Sequence, residues 1–187
     1  MDFPELETKR IKLVQVVQEH ANAYYDIMSR DDVTVYYGMD SLESEKQAVE
    51  MIDSFHSTFE MKRGIRWGIL SKDTGGFIGT LGLNNLNIKG KKAEIGYELH
   101  PSYWGKGITT EAVTKVLQYS FEDLDLFRIG AVTYPQNEPS IQLLRKLGFS
   151  QEGLLRGYLY QRKQSHDALV FSLLKPEWID RGNTLEV

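Results

Sequence analysis

The chain has 187 residues, of which 41% are hydrophobic and 26% are charged, and its formal net charge is −4. This composition is that of one ordinary globular domain, and the negative charge gives no reason to expect nucleic-acid binding. The absence of cysteine excludes a disulfide framework, a thiolate metal site and a cysteine acyl intermediate, and we expect no metal ion. The sequence shows neither a signal peptide nor an apolar run of about 18 residues, so we expect a soluble, cytoplasmic protein without membrane contacts.

The N-terminal part of the chain predicts a short strand followed by two helices. Residues 10–16 alternate between apolar and polar side chains, and residues 20–30 carry apolar side chains at helical spacing. Residues 44–62 predict the second helix, because Ser44 can cap its N-terminus and apolar side chains then recur three and four residues apart.

From residue 65 onwards the pattern indicates an antiparallel sheet. Three short apolar runs, WGIL, FIGTLGLNNL and AEIGYELH, are separated by the glycine-containing turns KDTGG and IKGKK. Strands joined by turns of this kind form hairpins. The middle of the chain therefore predicts a meander of three strands.

The C-terminal part adds a crossover unit and two more strands. Residues 110–121 predict a helix and residues 128–134 a strand, and a strand, helix and strand in this order imply a parallel strand pair. The next segment predicts a helix that ends at Gly148, and residues 151–160 and 167–173 predict the last strands. Together the elements predict an α/β (α+β) fold with a mixed sheet of six to seven strands and about four helices.

The segment HPSYWGKGITTEA places two glycines directly before a predicted helix. Gly105 and Gly107 permit backbone conformations and a closeness of approach that a side chain would block. The unpaired N–H groups at the start of the helix, together with the hydroxyls of Thr109 and Thr110, can bind phosphate groups. The spacing matches neither a nucleoside-triphosphate loop nor a dinucleotide fingerprint, and a simple chain turn is the alternative.

The runs EIGYELHPSYWGKGITTEAV and NEPSIQLLRKLGF, in this order, resemble the GNAT superfamily of acetyl-CoA-dependent N-acetyltransferases. Within it the chain resembles the group that acetylates serine or alanine at the N-termini of ribosomal proteins. The resemblance covers nearly the whole chain and implies one GNAT-like domain over residues 1–178, with a tail at 179–187. It also implies a sheet that splays open at its centre, and it is compatible with a homodimer.

The resemblance further implies how acetyl-CoA is bound. Backbone N–H groups of residues 105–110 would hold the pyrophosphate, and the strand end at Leu99 would pair with the pantetheine arm and stabilise the thioester oxygen. The family loop pattern Q/R-x-x-G-x-G/A falls on residues 104–109, where Trp104 and Thr109 depart from it. The cofactor-binding residues expected on this basis are Leu99, Trp104, Gly105, Lys106, Gly107, Ile108, Thr109, Thr110 and Asn137.

Acetyl transfer to an amine needs a proton acceptor for the amine and a proton donor or hydrogen bond for the departing thiolate. Glu98 shares one strand face with Glu94 and lies nearer the cofactor end, so we assign it as the base, acting directly or through water. By resemblance to the N-x-x-S pattern, Ser140 is assigned as proton donor or thiolate stabiliser, with helix capping as its alternative role. Many family members use a tyrosine at the position of Leu144, so no tyrosine donor is expected.

The acceptor remains open at this stage. The N-terminal amine of a ribosomal or other protein is the first expectation, attacking acetyl-CoA directly in a ternary complex. A polyamine, amino acid or aminoglycoside is the alternative acceptor, and a non-catalytic acyl-CoA-binding module is the alternative class. His100 precedes Pro101 and is more typical of a strand exit than of a base. Several tyrosines could line an acceptor pocket or belong to the core or its rim: Tyr36, Tyr37, Tyr97, Tyr158 and Tyr160.

Overall fold

A mixed sheet of eight strands forms the centre of the fold in the computed structural model, which describes residues 2–181. The strands are β1 (Leu6–Glu7), β2 (Ile11–Gln15), β3 (Ile65–Ser71), β4 (Phe77–Asn87), β5 (Lys92–Leu99), β6 (Arg128–Thr133), β7 (Ser150–Gln161) and β8 (Gln164–Leu174). Their order in the sheet is β1-β2-β3-β4-β5-β6-β8-β7. Only β5 and β6 are parallel, as the predicted crossover unit requires.

Six α-helices accompany the sheet. They are α1 (Ala21–Met28), α2 (Asp31–Thr34), α3 (Glu45–Glu60), α4 (Ile108–Glu122), α5 (Glu138–Lys146) and α6 (Lys175–Arg181), and short 3-10 helices lie at Gln18–His20 and Pro101–Tyr103. The Ser44 hydroxyl caps α3 by accepting a hydrogen bond from the Gln47 N–H. The Asn137 side chain caps α5 by accepting one from the Ser140 N–H.

The predicted mixed sheet, its meander and its parallel crossover are confirmed, whereas the counts of strands and helices were too low. The elements that the sequence pattern missed are short: β1 has two residues and α2 has four, too few for a periodicity. The first residues of the predicted tail, Ile179 to Arg181, belong to α6. Trp178 of this helix packs against Phe121 at 5.8 Å between ring centres. The rest of the predicted tail, residues 182–187, lies outside the described residues.

Helices cover both faces of the sheet. Arg66 and Trp67 are neighbours on β3 and therefore point to opposite faces. Arg66 lies over the Phe55 ring of α3, whereas Trp67 makes an edge contact with Tyr119 of α4. We call the two sides of the sheet the α3 face and the α4 face. The larger apolar core is on the α4 face, and α1 and α3 form a second core on the other.

The sheet opens between its two parallel strands. β5 pairs with β6 only from Lys92 to Glu94, although β5 continues beside β4 as far as Leu99. β6 in turn continues beside β8 as far as Thr133. We call the opening between Ile95–Leu99 and the end of β6 the β5–β6 gap. It confirms the splayed sheet and positions the residues described next.

Candidate active site

The backbone of β5 faces the gap with hydrogen-bonding groups that β6 does not use. The His100 N–H donates to the Ile78 carbonyl at 2.8 Å, so His100 directs its backbone groups toward β4. Backbone direction alternates along a strand, and Tyr97 and Leu99 therefore direct theirs toward the gap. The Leu99 carbonyl accepts a hydrogen bond from the Trp104 indole N–H at 2.7 Å. Its N–H lies where an extended ligand could pair with the strand.

The loop before α4 has the conformation that its glycines suggest. Gly105 and Gly107 have φ angles of 70° and 74°, in the left-handed region, and Gly107 is the N-cap residue of α4. No heavy atom lies within 4 Å of the position that a Cβ at Gly105 would occupy. Thr109 and Thr110 lie in the first turn of α4. The loop thus presents bare backbone beside the positive end of a helix dipole.

The residues that hold this loop in place were not predicted from the sequence. Arg10 on the approach to β2 donates from Nη1 to the Lys106 carbonyl at 2.8 Å and from Nε to the Glu111 carboxylate at 2.5 Å. Glu111 also accepts hydrogen bonds from the Arg10 N–H and the Thr8 hydroxyl. Burial alone would raise the pKa of Glu111, but these hydrogen bonds outweigh it and lower the pKa below 4.5. The first turn of α4 is therefore fastened to the N-terminal strands.

Glu98 points to the α3 face, where it is almost completely buried. Its carboxylate accepts a hydrogen bond from the Thr80 hydroxyl and lies 3.5 Å from Nη2 of Arg66. Arg66 also donates to the Gly96 carbonyl at 2.9 Å and to the Tyr37 hydroxyl. Glu98 is thus a compensated buried charge, held from two directions.

Two glycines make room for this arrangement. Arg66 is in register with Gly82, which is in turn in register with Gly96. A Cβ at Gly82 would lie 2.7 Å from Cδ of Arg66, so a larger residue would block the path of the arginine across the sheet. The glycine pair beside an arginine is the sequence signal that could have revealed the ion pair.

Ser140 lies on the other side of the gap, in the first turn of α5. Its N–H donates to Oδ1 of Asn137, so the two residues of the N-x-x-S pattern lie together at the start of α5. The Ser140 hydroxyl lies 2.8 Å from the Tyr97 hydroxyl, a contact that the sequence analysis did not predict. Burial raises the pKa of Tyr97 to about 12.

The other candidate residues have structural contacts. His100 accepts a hydrogen bond from the Ser102 N–H at Nδ1, and its Nε2 lies 3.3 Å from Asp26, which fits the strand-exit interpretation. Tyr36 packs against Tyr134 at 5.7 Å between ring centres. Tyr158 and Tyr160 are exposed on β7. Of the five tyrosines, Tyr97 contacts Ser140, and Tyr37 contacts Arg66, the partner of Glu98.

The residues around the gap fit acetyl-CoA. The free N–H groups of β5 suit the amides of a pantetheine arm, and the bare loop at α4 suits a diphosphate. Within residues 2–181, no three His, Asp or Glu side chains are grouped so that they could hold a metal ion. The same part of the chain contains no helix with the length and apolarity needed to cross a membrane.

Comparison with known proteins identifies the family. Residues 10–150 match the acetyltransferase (GNAT) domain. The uncharacterized N-acetyltransferase YoaA of Bacillus subtilis strain 168 is 47% identical over 174 residues, covering 93% of this chain and 98% of YoaA. The [ribosomal protein uS5]-alanine N-acetyltransferase of Escherichia coli strain K12 is 30% identical over 130 residues, covering 68% and 65% of the two chains.

A solved structure agrees on the fold. RimJ of Mycobacterium smegmatis, in complex with CoA-disulfide, superposes with a TM-score of 0.80 at 24% identity, covering 92% of this chain and 89% of RimJ. The domain match and the 47% identical relative together identify the family. The chain belongs to the GNAT family and is an acetyl-CoA-dependent N-acetyltransferase.

Proposed function

We propose that this enzyme acetylates the N-terminal amine of a ribosomal or other protein by direct attack on acetyl-CoA in a ternary complex. The observation that carries the proposal is the β5–β6 gap, which has a carboxylate on one face and a pair of hydroxyls on the other. A proton acceptor and a hydrogen-bond donor on opposite sides of one opening can serve the attacking amine and the departing sulfur at the same time. Acetyl-CoA supplies the acetyl thioester.

The chain's own residues would bind and orient the thioester. The N–H groups of residues 105–110, including Lys106 and Ile108, would bind the diphosphate at the start of α4. Trp104 fixes the Leu99 carbonyl, which leaves the Leu99 N–H to donate to the thioester oxygen. Asn137 would contact the pantetheine arm from the N-terminus of α5.

Glu98 is proposed as the proton acceptor for the amine, directly or through one water. The carboxylate form, which accepts a proton, is the form that pairs with Arg66. Thr80 and Arg66 hold the carboxylate from two sides, so its orientation is set before the acceptor arrives. Ser140 is proposed to donate a hydrogen bond to the departing sulfur, at the helix terminus where negative charge is stabilised.

An acceptor peptide is favoured by the relative that acts on ribosomal protein uS5 at an alanine N-terminus. The test is incubation with acetyl-CoA and two acceptor panels, peptides with the N-terminal sequences of ribosomal proteins and a set of polyamines, amino acids and aminoglycosides. Mass spectrometry should find the acetyl group on the α-amine of one or more peptides. Acetylation of the small amines alone would contradict the proposed acceptor class.

The proposed catalytic groups are tested by Glu98→Gln and Ser140→Ala, each of which should lower kcat by about 100-fold. Glu94→Gln is the matched control, because Glu94 lies on the same strand face but, among residues 2–181, its side chain hydrogen-bonds only to exposed Asn85. Unchanged turnover in the Glu98→Gln, Ser140→Ala double variant would contradict the assignment of both catalytic groups. Binding of acetyl-CoA without turnover of any acceptor would instead favour a non-catalytic module.

Two further expectations stay proposals: a cytoplasmic location and a homodimer. Strand β7 lies at the edge of the sheet and exposes apolar side chains that a second copy could cover. These are Leu154, Leu155, Tyr158 and Tyr160. Sedimentation velocity over a range of concentrations should detect a dimer, and a monomer throughout would contradict this proposal.

A further inference from the structure

Tyr97 joins the two sides of the β5–β6 gap through a single hydrogen bond. It stands on the part of β5 that has separated from β6, and its ring packs against the core of the α4 face. Its hydroxyl meets Ser140 on α5, the helix that follows β6, with 2.8 Å between the two oxygens. The contact therefore lies at the opening itself.

The direction of this hydrogen bond decides what Ser140 can do. A hydroxyl has one proton to donate, and it can accept at its lone pairs. If Ser140 donated to Tyr97, it would have no proton left for a group in the gap. If Tyr97 donates to Ser140, the serine proton is free. Within residues 2–181 neither hydroxyl has another hydrogen-bond partner, so nothing else uses the serine proton.

A phenol is a stronger acid than an aliphatic alcohol and so the better donor of the two. Burial raises the pKa of Tyr97 to about 12, so the phenol keeps its proton at neutral pH and can act as a permanent donor. A thiol titrates near 8.5, so the departing thiolate is stabilised by a hydrogen bond without any proton leaving the tyrosine.

We propose that Tyr97 is a positioning residue, which donates its hydroxyl hydrogen bond to Ser140 and thereby directs the serine proton into the β5–β6 gap. This inference rests on the proposed role of Ser140. In it, the amine nitrogen forms a bond to the acetyl carbon and loses a proton to Glu98, and the C–S bond breaks with its electron pair on sulfur. The Ser140 hydroxyl stabilises that charge by a hydrogen bond. A tyrosine on β5 thus takes part in the reaction. Many family members carry their tyrosine on α5 instead, at the position that is Leu144 in this chain.

A double-mutant cycle tests the proposal, with kcat and the KM for acetyl-CoA measured for the wild type, Tyr97→Phe, Ser140→Ala and the double variant. Tyr97→Phe keeps the ring and its packing and should lower kcat about tenfold, the loss expected for one hydrogen bond, with KM changed less than twofold. In the Ser140→Ala background the same change should have no further effect on kcat. Tyr119→Phe is the matched control. Tyr119 lies in the C-terminal half of α4 and packs on Trp67 of β3, so this variant should keep the wild-type kcat.

The outcomes separate this inference from the proposed function. If Ser140→Ala lowers kcat and Tyr97→Phe does not, the positioning role is wrong and the role of Ser140 stands. Losses that multiply in the double variant would show that Tyr97 acts independently of Ser140, which also overturns the inference. Full activity of Ser140→Ala would remove the proposed function of Ser140 and the inference with it. Thermal unfolding of each variant checks that none of these losses comes from misfolding.

Discussion

At Gly105 the loop requires a left-handed backbone conformation, but it does not require the absence of a side chain for reasons of space. The φ of 70° at Gly105 is in the region that a residue with a Cβ enters at a cost of about 1 kcal/mol, although no atom would meet that Cβ. Gly75, in the turn between β3 and β4, has a φ of 69° and equally open surroundings, but it is not part of the loop before α4. The two glycines therefore differ in that only Gly105 lies at the proposed diphosphate site.

We therefore expect Gly105→Ala and Gly75→Ala to lower the free energy of unfolding equally, each by about 1 kcal/mol. Only Gly105→Ala should also raise the KM for acetyl-CoA, by about fivefold, because its methyl group would stand where a diphosphate approaches. Urea denaturation and steady-state kinetics measure the two effects. An unchanged KM for Gly105→Ala would show that the diphosphate is bound elsewhere.

The sequence could predict where residues that belong to short motifs lie. Gly105, Gly107, Asn137 and Ser140 belong to short motifs, and the structure places them at the starts of α4 and α5 as expected. The partner of Tyr97 could not be predicted, because it lies 43 residues away on α5. The only signal for Arg66, the partner of Glu98 32 residues away, is the glycine pair Gly82 and Gly96. Alternation along β5 does predict that the side chains of Tyr97 and Glu98 face opposite sides of the sheet, and this part of their placement could have been read from the sequence.

At the level of elements, α4 depends on a contact outside itself. Its first turn is held by the ion pair of Glu111 with Arg10, and Glu111 is nearly buried while Arg10 is about half exposed. The same arginine holds the Lys106 carbonyl in the loop. Loss of the carboxylate should therefore loosen both the helix start and the loop that precedes it.

Glu111→Gln should lower the free energy of unfolding by about 2 kcal/mol at pH 7, since hydrogen bonds to a charged group are lost. The pKa of Glu111 in the folded protein lies below its ordinary value of 4.5, so its contribution is complete above that pH. The contribution disappears as the pH falls through the folded pKa. The difference between wild type and variant should hence shrink below pH 4.5, as urea denaturation at pH 7, 5 and 4 would show. A difference that is constant with pH would contradict the role of the charge.

Elements with a clear period were predictable and short ones were not. α3 and α4 bury a regular stripe, and their predicted ranges agree with the structure to within a few residues. β1 and α2 form through tertiary contacts: β1 pairs with β2, and Thr34 of α2 bonds to Gln161 of β7. Such contacts leave no local pattern in the sequence.

On the scale of the whole molecule, one side chain of the C-terminal hairpin hydrogen-bonds to three residues of the N-terminal half. Gln161 is the single buried residue among the twelve of β7. Its amide donates to the carbonyls of Thr34 and Met39 at 2.8 and 2.6 Å. Its oxygen accepts from the Tyr134 hydroxyl and the Gly38 N–H. One amide therefore connects the hairpin, the end of β6 and the segment after α2.

Gln161→Ala should lower the free energy of unfolding by about 3 kcal/mol, because it removes four hydrogen bonds, two of which are buried. Gln164→Ala, across the same hairpin turn but exposed, is the matched control and should change stability by less than about 0.5 kcal/mol. Hydrogen exchange should show faster exchange in Gln161→Ala both in the hairpin and in residues 34–40, more than a hundred residues away in sequence. Faster exchange confined to the hairpin would mean that residues 34–40 are stable without Gln161, and that Gln161 does not couple the two regions.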